Sequence, residues 1–223
     1  NIWKGNTSEK FIREFNNGEG LRYKAGPKKG ELYVEGDMGP MYGFQWRHWG
    51  AEYKGCFEDY SEEGIDQLSN LLENLKKNPT SRRHILSAWN VSCLDEGVLM
   101  PCHFMCQFYV SEDKYIDCIL HCRSSDLFLG LPFNIASYAI LTYMIGHLTS
   151  YKPNRLIVIT GDTHIYLNHM EQVKRQLMRT PYPFPSLEFR NKNTIHTIDD
   201  FKLESFMVKG YVSHPEINAK MAV

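Results

Sequence analysis

The sequence predicts one mixed α+β domain, a central β-sheet layered with helices. Three observations carry that expectation. Short runs rich in aromatic and β-branched residues are interspersed with longer segments of helical periodicity. Apolar residues make up 43% of the 223-residue chain, enough to bury one sizeable core. No repeat, low-complexity tract or linker divides residues 1–223, so they read as a single domain.

In chain order, Ser8 to Phe15 is expected to form a short helix. Residues 18–39 are rich in glycine and lysine with little apolar periodicity, and read as a loop insertion on the surface. Ser61 to Lys77 spaces Ile65, Leu68, Leu72 and Leu75 three and four apart, which predicts an amphipathic helix capped by Ser61 and stopped by Asn78-Pro79. His84 to Trp89, His103 to Val110 and Tyr115 to Cys122 are expected strands, the last two joined as a hairpin through Ser111 to Lys114. Asn134 to Leu148 is apolar almost all round, as in a helix interior to the domain. Arg155 to Thr160 reads as a strand, and Gly161-Asp162 as the opening of a second interior helix reaching Met178. The prolines of Thr180 to Pro185 end it. Leu187 to Phe189 and Phe206 to Val212 then read as short strands around an Asp199-Asp200 turn.

The 25 basic and 26 acidic side chains leave a formal charge of −1, which excludes a nucleic-acid partner held by a broad basic surface. The most apolar stretch, Phe128 to Tyr151, is broken by Pro132, Asn134, Ser137, Thr142 and His147. It falls short of the roughly 20 apolar residues that a membrane span needs, so no membrane partner is expected. The first residues show no basic-then-apolar signal pattern. A reducing location, cytoplasmic or nuclear, is therefore expected, with the six cysteines free and the sequons at Asn6 and Asn90 fortuitous.

Cys102, Cys106, Cys118 and Cys122 repeat a C-x3-C spacing with His103 adjacent. On strands, residues four apart lie about 13 Å from one another, too far for two sulfurs on one zinc, so no metal is expected. Two hairpin registers are open: one sets the cysteines opposite each other, and a slip by one residue sets Arg123 opposite Cys102. In the second, a guanidinium beside the thiol would favour the thiolate and make Cys102 an activated nucleophile. Arg82-Arg83 and Arg123-Ser124-Ser125 supply forked and short donors suited to a phosphate, or else are solvated surface groups. Gly161 to Tyr166 places polar side chains where they could hold a ligand hydroxyl or simply cap a helix.

Joined together, these segments closely resemble the thymidylate synthase family. The strings GPMYGFQWRHWGAEY (39–53), SRRHILSAWN (81–90), PCHFMCQFYV (101–110), RSSDLFLGLPFNIASYAILTYMIGH (123–147), GDTHIYLNH (161–169) and the final MAV follow that family's motifs in its order. The resemblance implies that Cys102 adds to C6 of the uracil ring of dUMP, and that 5,10-methylenetetrahydrofolate, as co-substrate, donates a methylene group and a hydride to give dTMP and dihydrofolate. It also implies a sheet-mediated homodimer, with a fusion to dihydrofolate reductase as a further expectation.

Carried over residue by residue, the resemblance gives Arg123 and Ser124 as phosphate ligands, with Arg82 and Arg83 reaching the same phosphate from the partner subunit. Asn134 matches the amide that reads the uracil edge, donating to O4 and accepting from N3–H, demands that cytosine reverses. His164 and Tyr166 match the contacts to the deoxyribose 3′-hydroxyl. Tyr42, with His103 beside the nucleophile, matches the network that removes the C5 proton. Asp126 matches a position shared by nucleotide and folate. Leu129, Gly130 and Phe133 match folate-side positions, as do Ile2, Trp3 and Asn6. Met221, Ala222 and Val223 match the tail that closes over the folate.

The chain also departs from the family pattern. His121 and Cys122 stand where the family usually has Tyr and Gln, and a second thiol near Cys102 raises the expectation of a reversible disulfide. The N-terminal segment that carries a further phosphate arginine and a glutamate in the family is expected to be missing. Two other readings accompany the resemblance: a nucleotide hydroxymethylase of the same fold, and a non-catalytic dUMP-binding relic. Trp3 and the MAV tail favour methylation over hydroxymethylation.

Overall fold

The computed structural model of the chain describes Lys4 and residues 6–221. Its main sheet has four strands: β1 (Ile85–Ser87), β2 (His103–Val110), β3 (Tyr115–Asp126) and β4 (Lys152–His164). They lie in the order β1-β2-β3-β4, antiparallel except for the parallel β3–β4 pair. That parallel pairing needs a crossover, which α4 (Gly130–Thr149) supplies. Asp126 launches α4, its Oδ1 accepting from the Phe128 and Leu129 amides at 3.0 and 3.4 Å. Ser150, at φ 61°, closes the helix in the left-handed region.

One face of the sheet is dry. Leu86, Cys106, Phe108, Ile116, Cys118 and Leu120 meet Tyr138, Leu141 and Ile145 of α4 and Leu68, Leu71, Leu72 and Leu75 of α3 (Gln67–Lys77). Helix α3 begins five residues later than expected, its cap moving from Ser61 to Asp66. Asp66 caps it, accepting from Ser69 N at 2.9 Å, while Ser61 bonds Asp59 instead and Ile65 pairs in a β-bridge with Trp49. The spacing is correct for the buried face, but a cap needs a side-chain oxygen aimed at a free amide, and only Asp66 has one.

The first part of the chain packs a second core. Helix α1 (Glu9–Gly18) opens at Ser8, whose Oγ accepts from Phe11 N at 3.3 Å, and loses helical geometry at Phe15. Residues 19–39 carry no strand or helix beyond the Arg22–Leu32 bridge, and they lie only partly on the surface: Arg22, Lys24, Lys29 and Glu31 are exposed, whereas other side chains turn inward. Leu21, Tyr23, Ala25, Tyr33 and Asp37 are buried. The carboxylate of Asp37 accepts from the hydroxyls of Tyr23 and Tyr53 at 2.8 and 2.5 Å and from Gly39 N at 2.8 Å. A buried charge held by this many donors fixes a loop with few regular elements of its own. Helix α2 (Gly43–Arg47) follows, and its Arg47 forks onto Asp199 while Nε reaches Asp66.

Strand β4 runs through Gly161-Asp162 instead of breaking into a helix there. Strand β3 continues to Asp126 and offers ladder partners as far as the Asp126–His164 pair. Gly161 is the close-approach point, because a Cβ there would sit 2.8 Å from Arg123 O. The helix arrives only at α5 (Met170–Leu177), which buries no residue and is not interior. Helix packing on the sheet is therefore shared by α3 and α4, and α4 is interior on one side alone, since Phe133, Ile135, Ile140 and Tyr143 are exposed. The strands β5 (Ser186–Phe189) and β6 (Phe206–Lys209) form a separate antiparallel pair. Among the described residues no helix is long and apolar enough to cross a membrane.

Candidate active site

A β-bulge places the Cys102 thiol. Along most of the β2–β3 hairpin the register pairs Cys106 with Leu120 and Phe108 with Cys118, but it shifts at Phe104 so that His103 faces Cys122. One step further, Arg123 N donates to Cys102 O at 2.9 Å. The register that sets cysteines opposite one another does not occur, and Cys102 lies across from Arg123. The bulge is what turns the end of β2 out of the core phase that Cys106 and Phe108 follow.

Arg123 is pinned in that position. Its Nε donates to Pro101 O at 2.9 Å and its Nη2 to Met100 O at 2.7 Å, while Nη2 lies 3.9 Å from Cys102 Sγ. Its guanidinium also lies 5.7 Å over the Trp89 ring. The two residues just before the thiol thus hold, through their carbonyls, the cation that faces it. Burial raises the Cys102 thiol above its ordinary value, and Arg123 acts in the opposite direction without cancelling it. The expectation of a net lowered thiol is corrected on this point: Arg123 lowers, but desolvation is larger. Burial likewise pushes up Cys122, and a charge on Cys102 adds to that rise.

Tyr42 sits at φ 37°, in the left-handed region, ahead of α2. Its hydroxyl accepts from Cys102 N at 3.1 Å and its ring stacks on His103 at 4.2 Å. His103 shares a 2.9 Å hydrogen bond between Nδ1 and the Tyr138 hydroxyl. Burial holds the imidazole down to about 4, so it is neutral at physiological pH, and burial raises the Tyr42 phenol well above its ordinary range. These are two neutral groups able to relay a proton next to the thiol.

Around the thiol lies a cavity of about 220 Å³. Tyr42, Cys102 and His103 line it with Ser124 and Asp126 from the end of β3, Leu129, Gly130 and Asn134 from the start of α4, His164 and Tyr166 from the end of β4, and Asn6, Leu99 and Met221. The parallel β3–β4 pair explains half of this wall, because it carries Ser124, Asp126 and His164 out of the sheet at the same edge. His164 Nδ1 donates to Asp162 at 2.9 Å, and its ring packs edge-on to Tyr166 at 4.9 Å.

Several expected site residues lie elsewhere. Arg82 and Arg83 line a separate cavity of about 260 Å³ with Asn78, Thr80 and Ser81, so one chain does not bring them to the thiol. Phe133 is exposed and does not line the cavity. Ile2, Trp3, Ala222 and Val223 lie outside the described residues. Sequence reasoning missed Leu99, Trp89 and Tyr138. Tyr138 carried a signal, since it stands four residues after Asn134 on the same face of a helix.

Thiol, neutral imidazole, phenol, amide and carboxylate converging on a partly apolar pocket define an enzyme site for covalent attack on a small polar ligand. The comparisons with known proteins make that class specific. The family model for thymidylate synthase matches residues 1–223, and the chain belongs to that family. It is 53% identical over 189 residues to human thymidylate synthase, covering 85% of this chain and 59% of that protein. It is 45% identical over 227 residues to the thymidylate synthase of Agaricus bisporus, covering 100% of this chain and 72% of that protein. Against the bifunctional dihydrofolate reductase-thymidylate synthase of Plasmodium chabaudi it is 51% identical over 186 residues, 83% of this chain and 31% of that protein. The chain therefore spans less than two thirds of the length of the human relative.

Proposed function

We propose that this chain carries the catalytic machinery of a thymidylate synthase that methylates dUMP to dTMP with 5,10-methylenetetrahydrofolate, releasing dihydrofolate. The observation that supports the reading most is the single cavity gathering Tyr42, Cys102, His103, Ser124, Asp126, Asn134, His164 and Tyr166 from five separated segments. Cys102 attacks uracil C6 as the thiolate, and the bond makes C5 an enamine-like nucleophile. Because burial disfavours the thiolate and Arg123 favours it, Arg123 works on the nucleophile as well as on the phosphate. Asn134 orients the uracil edge, Ser124 takes part in holding the phosphate, and His164 with Tyr166 holds the sugar.

Tyr42, stacked on His103, accepts and passes on the C5 proton. The folate supplies the one-carbon unit and the hydride. The apolar walls that Leu99, Leu129 and Met221 provide suit a pteridine, and Asp126 gives it a polar partner. The protein works as a homodimer in which the partner's copies of Arg82 and Arg83 complete the phosphate site. A test uses 5-fluoro-dUMP with methylenetetrahydrofolate on the full natural chain. Mass spectrometry should find a covalent adduct on Cys102 and none in Cys102→Ser, and dihydrofolate should appear with dUMP. Tight dUMP binding without adduct or dihydrofolate defeats the proposal.

A further inference from the structure

His169 is fully buried between the end of β4 and the start of α5 and takes no part in the chemistry above. Its Nε2 donates to the carbonyl of Lys220 at 2.7 Å. Its Nδ1 is buried and has no hydrogen-bond partner among the described residues. A buried orphan nitrogen costs free energy, so the ring is held in place by what else it touches. That is Phe128 at 5.5 Å on one side and Tyr166 at 5.7 Å on the other. Phe128 lies between Asp126 and Leu129, and Tyr166 belongs to the sugar-side wall, so three walls of the cavity meet on one imidazole. A second stitch runs beside it: Gln172 Nε2 donates to Asn218 O at 3.5 Å, and Gln172 Oε1 is likewise buried and unpartnered.

We propose that His169 is a positioning residue that fastens the chain at Asn218 to Lys220 against the nucleotide wall, so that Met221 is set into the cavity. The proposal rests on the thymidylate synthase reading, since it assigns the tail's seat a role in folate binding. Residues 211–221 carry no strand or helix; His214 ties the start of this segment to Thr180 O at 2.9 Å and packs on Tyr182, which leaves its end to His169 and Gln172. The buried His169 donor holds the Lys220 carbonyl one residue before the cavity-lining Met221 and, with Gln172 on Asn218, sets where the end of the segment lies. Because the ring also packs on Tyr166, a nucleotide that steadies Tyr166 steadies the tail as well.

The test compares His169→Phe, which keeps an aromatic ring but has no donor, with His169→Gln, which keeps an amide N–H near the Nε2 position, and with Gln172→Ala, which removes the second stitch from a half-buried site. In the full natural chain, amide exchange at 219–221 should accelerate about tenfold in His169→Phe, less in Gln172→Ala, and return towards wild type in His169→Gln. The folate KM should rise by about the same factor in His169→Phe while the dUMP dissociation constant stays within about twofold. Unchanged tail exchange in both His169→Phe and Gln172→Ala overturns the proposal, and so does an equal loss of dUMP affinity in His169→Phe and His169→Gln. If His169→Phe does not fold, Gln172→Ala and His169→Gln still decide the exchange result. Exchange does not require turnover, so a wild-type protein that makes no dTMP refutes the functional reading and leaves the fastening measurable by itself.

Discussion

At Cys102 two effects oppose each other on a single sulfur. Burial favours the neutral thiol, and Arg123, 3.9 Å away, favours the thiolate. The sign gives a pH prediction for the ligand-free protein. Iodoacetamide alkylation of Cys102 depends on the thiolate, so its rate should climb with pH to a midpoint above that of an ordinary thiol. In Arg123→Gln the midpoint should move higher still, and the rate at pH 8 should fall by about three- to tenfold. A midpoint that stays put, or falls, defeats this account. The cation's partner was legible in the sequence as one of two hairpin registers. The choice between them was not legible, because the bulge at Phe104 leaves no mark in a period-two pattern. Nor was the larger desolvation legible, because it depends on neighbours such as Tyr42 that lie far away in sequence.

Elements with one buried face were readable in advance, and their ends were not. Strand β2 runs over His103–Val110 as its composition predicts, and α4 holds Asn134 to Leu148. Helix α3 and strand β4 have ends set by Asp66 and by the full length of β3, which are tertiary facts that periodicity does not carry. Gly161 is the sharpest case, since a glycine followed by aspartate reads as a break but here lets two parallel strands approach. Gly161→Ala would set a Cβ 2.8 Å from the Arg123 carbonyl, and neither backbone can yield without parting β3 from β4. The expected loss is about 1–3 kcal/mol in chemical denaturation. Because Ser124 and His164 leave the sheet just beyond, the dUMP KM should rise as well. A variant as stable as wild type would mean that the strands separate freely there.

On the scale of the whole molecule, the two faces of the main sheet differ. One of its faces is packed, whereas the other presents Ile85, Tyr109, Ile157 and Ile159, each more than a third exposed. In a monomer that face would lie bare, and a second copy of the same face would cover it with matching apolar rows. The proposed phosphate site points the same way. Arg123 already spends two of its donors on Pro101 and Met100, and Arg82 and Arg83 lie exposed in a cavity of their own. If the proposed dimer shares its sites, two dead variants should rescue each other. Cys102→Ser lacks the nucleophile, and an Arg82→Gln/Arg83→Gln double variant lacks the cations that it lends to its neighbour. When equal amounts are dissociated together and reassembled, about half the dimers are mixed. Each mixed dimer then has one site with both its thiol and its cations, so about a quarter of the wild-type rate should return. Rescue should vanish if the mixed species is blocked by Ile159→Asp, which places a carboxylate on the shared face. A mixture that never exceeds the sum of its parents would place both arginines outside the neighbouring site.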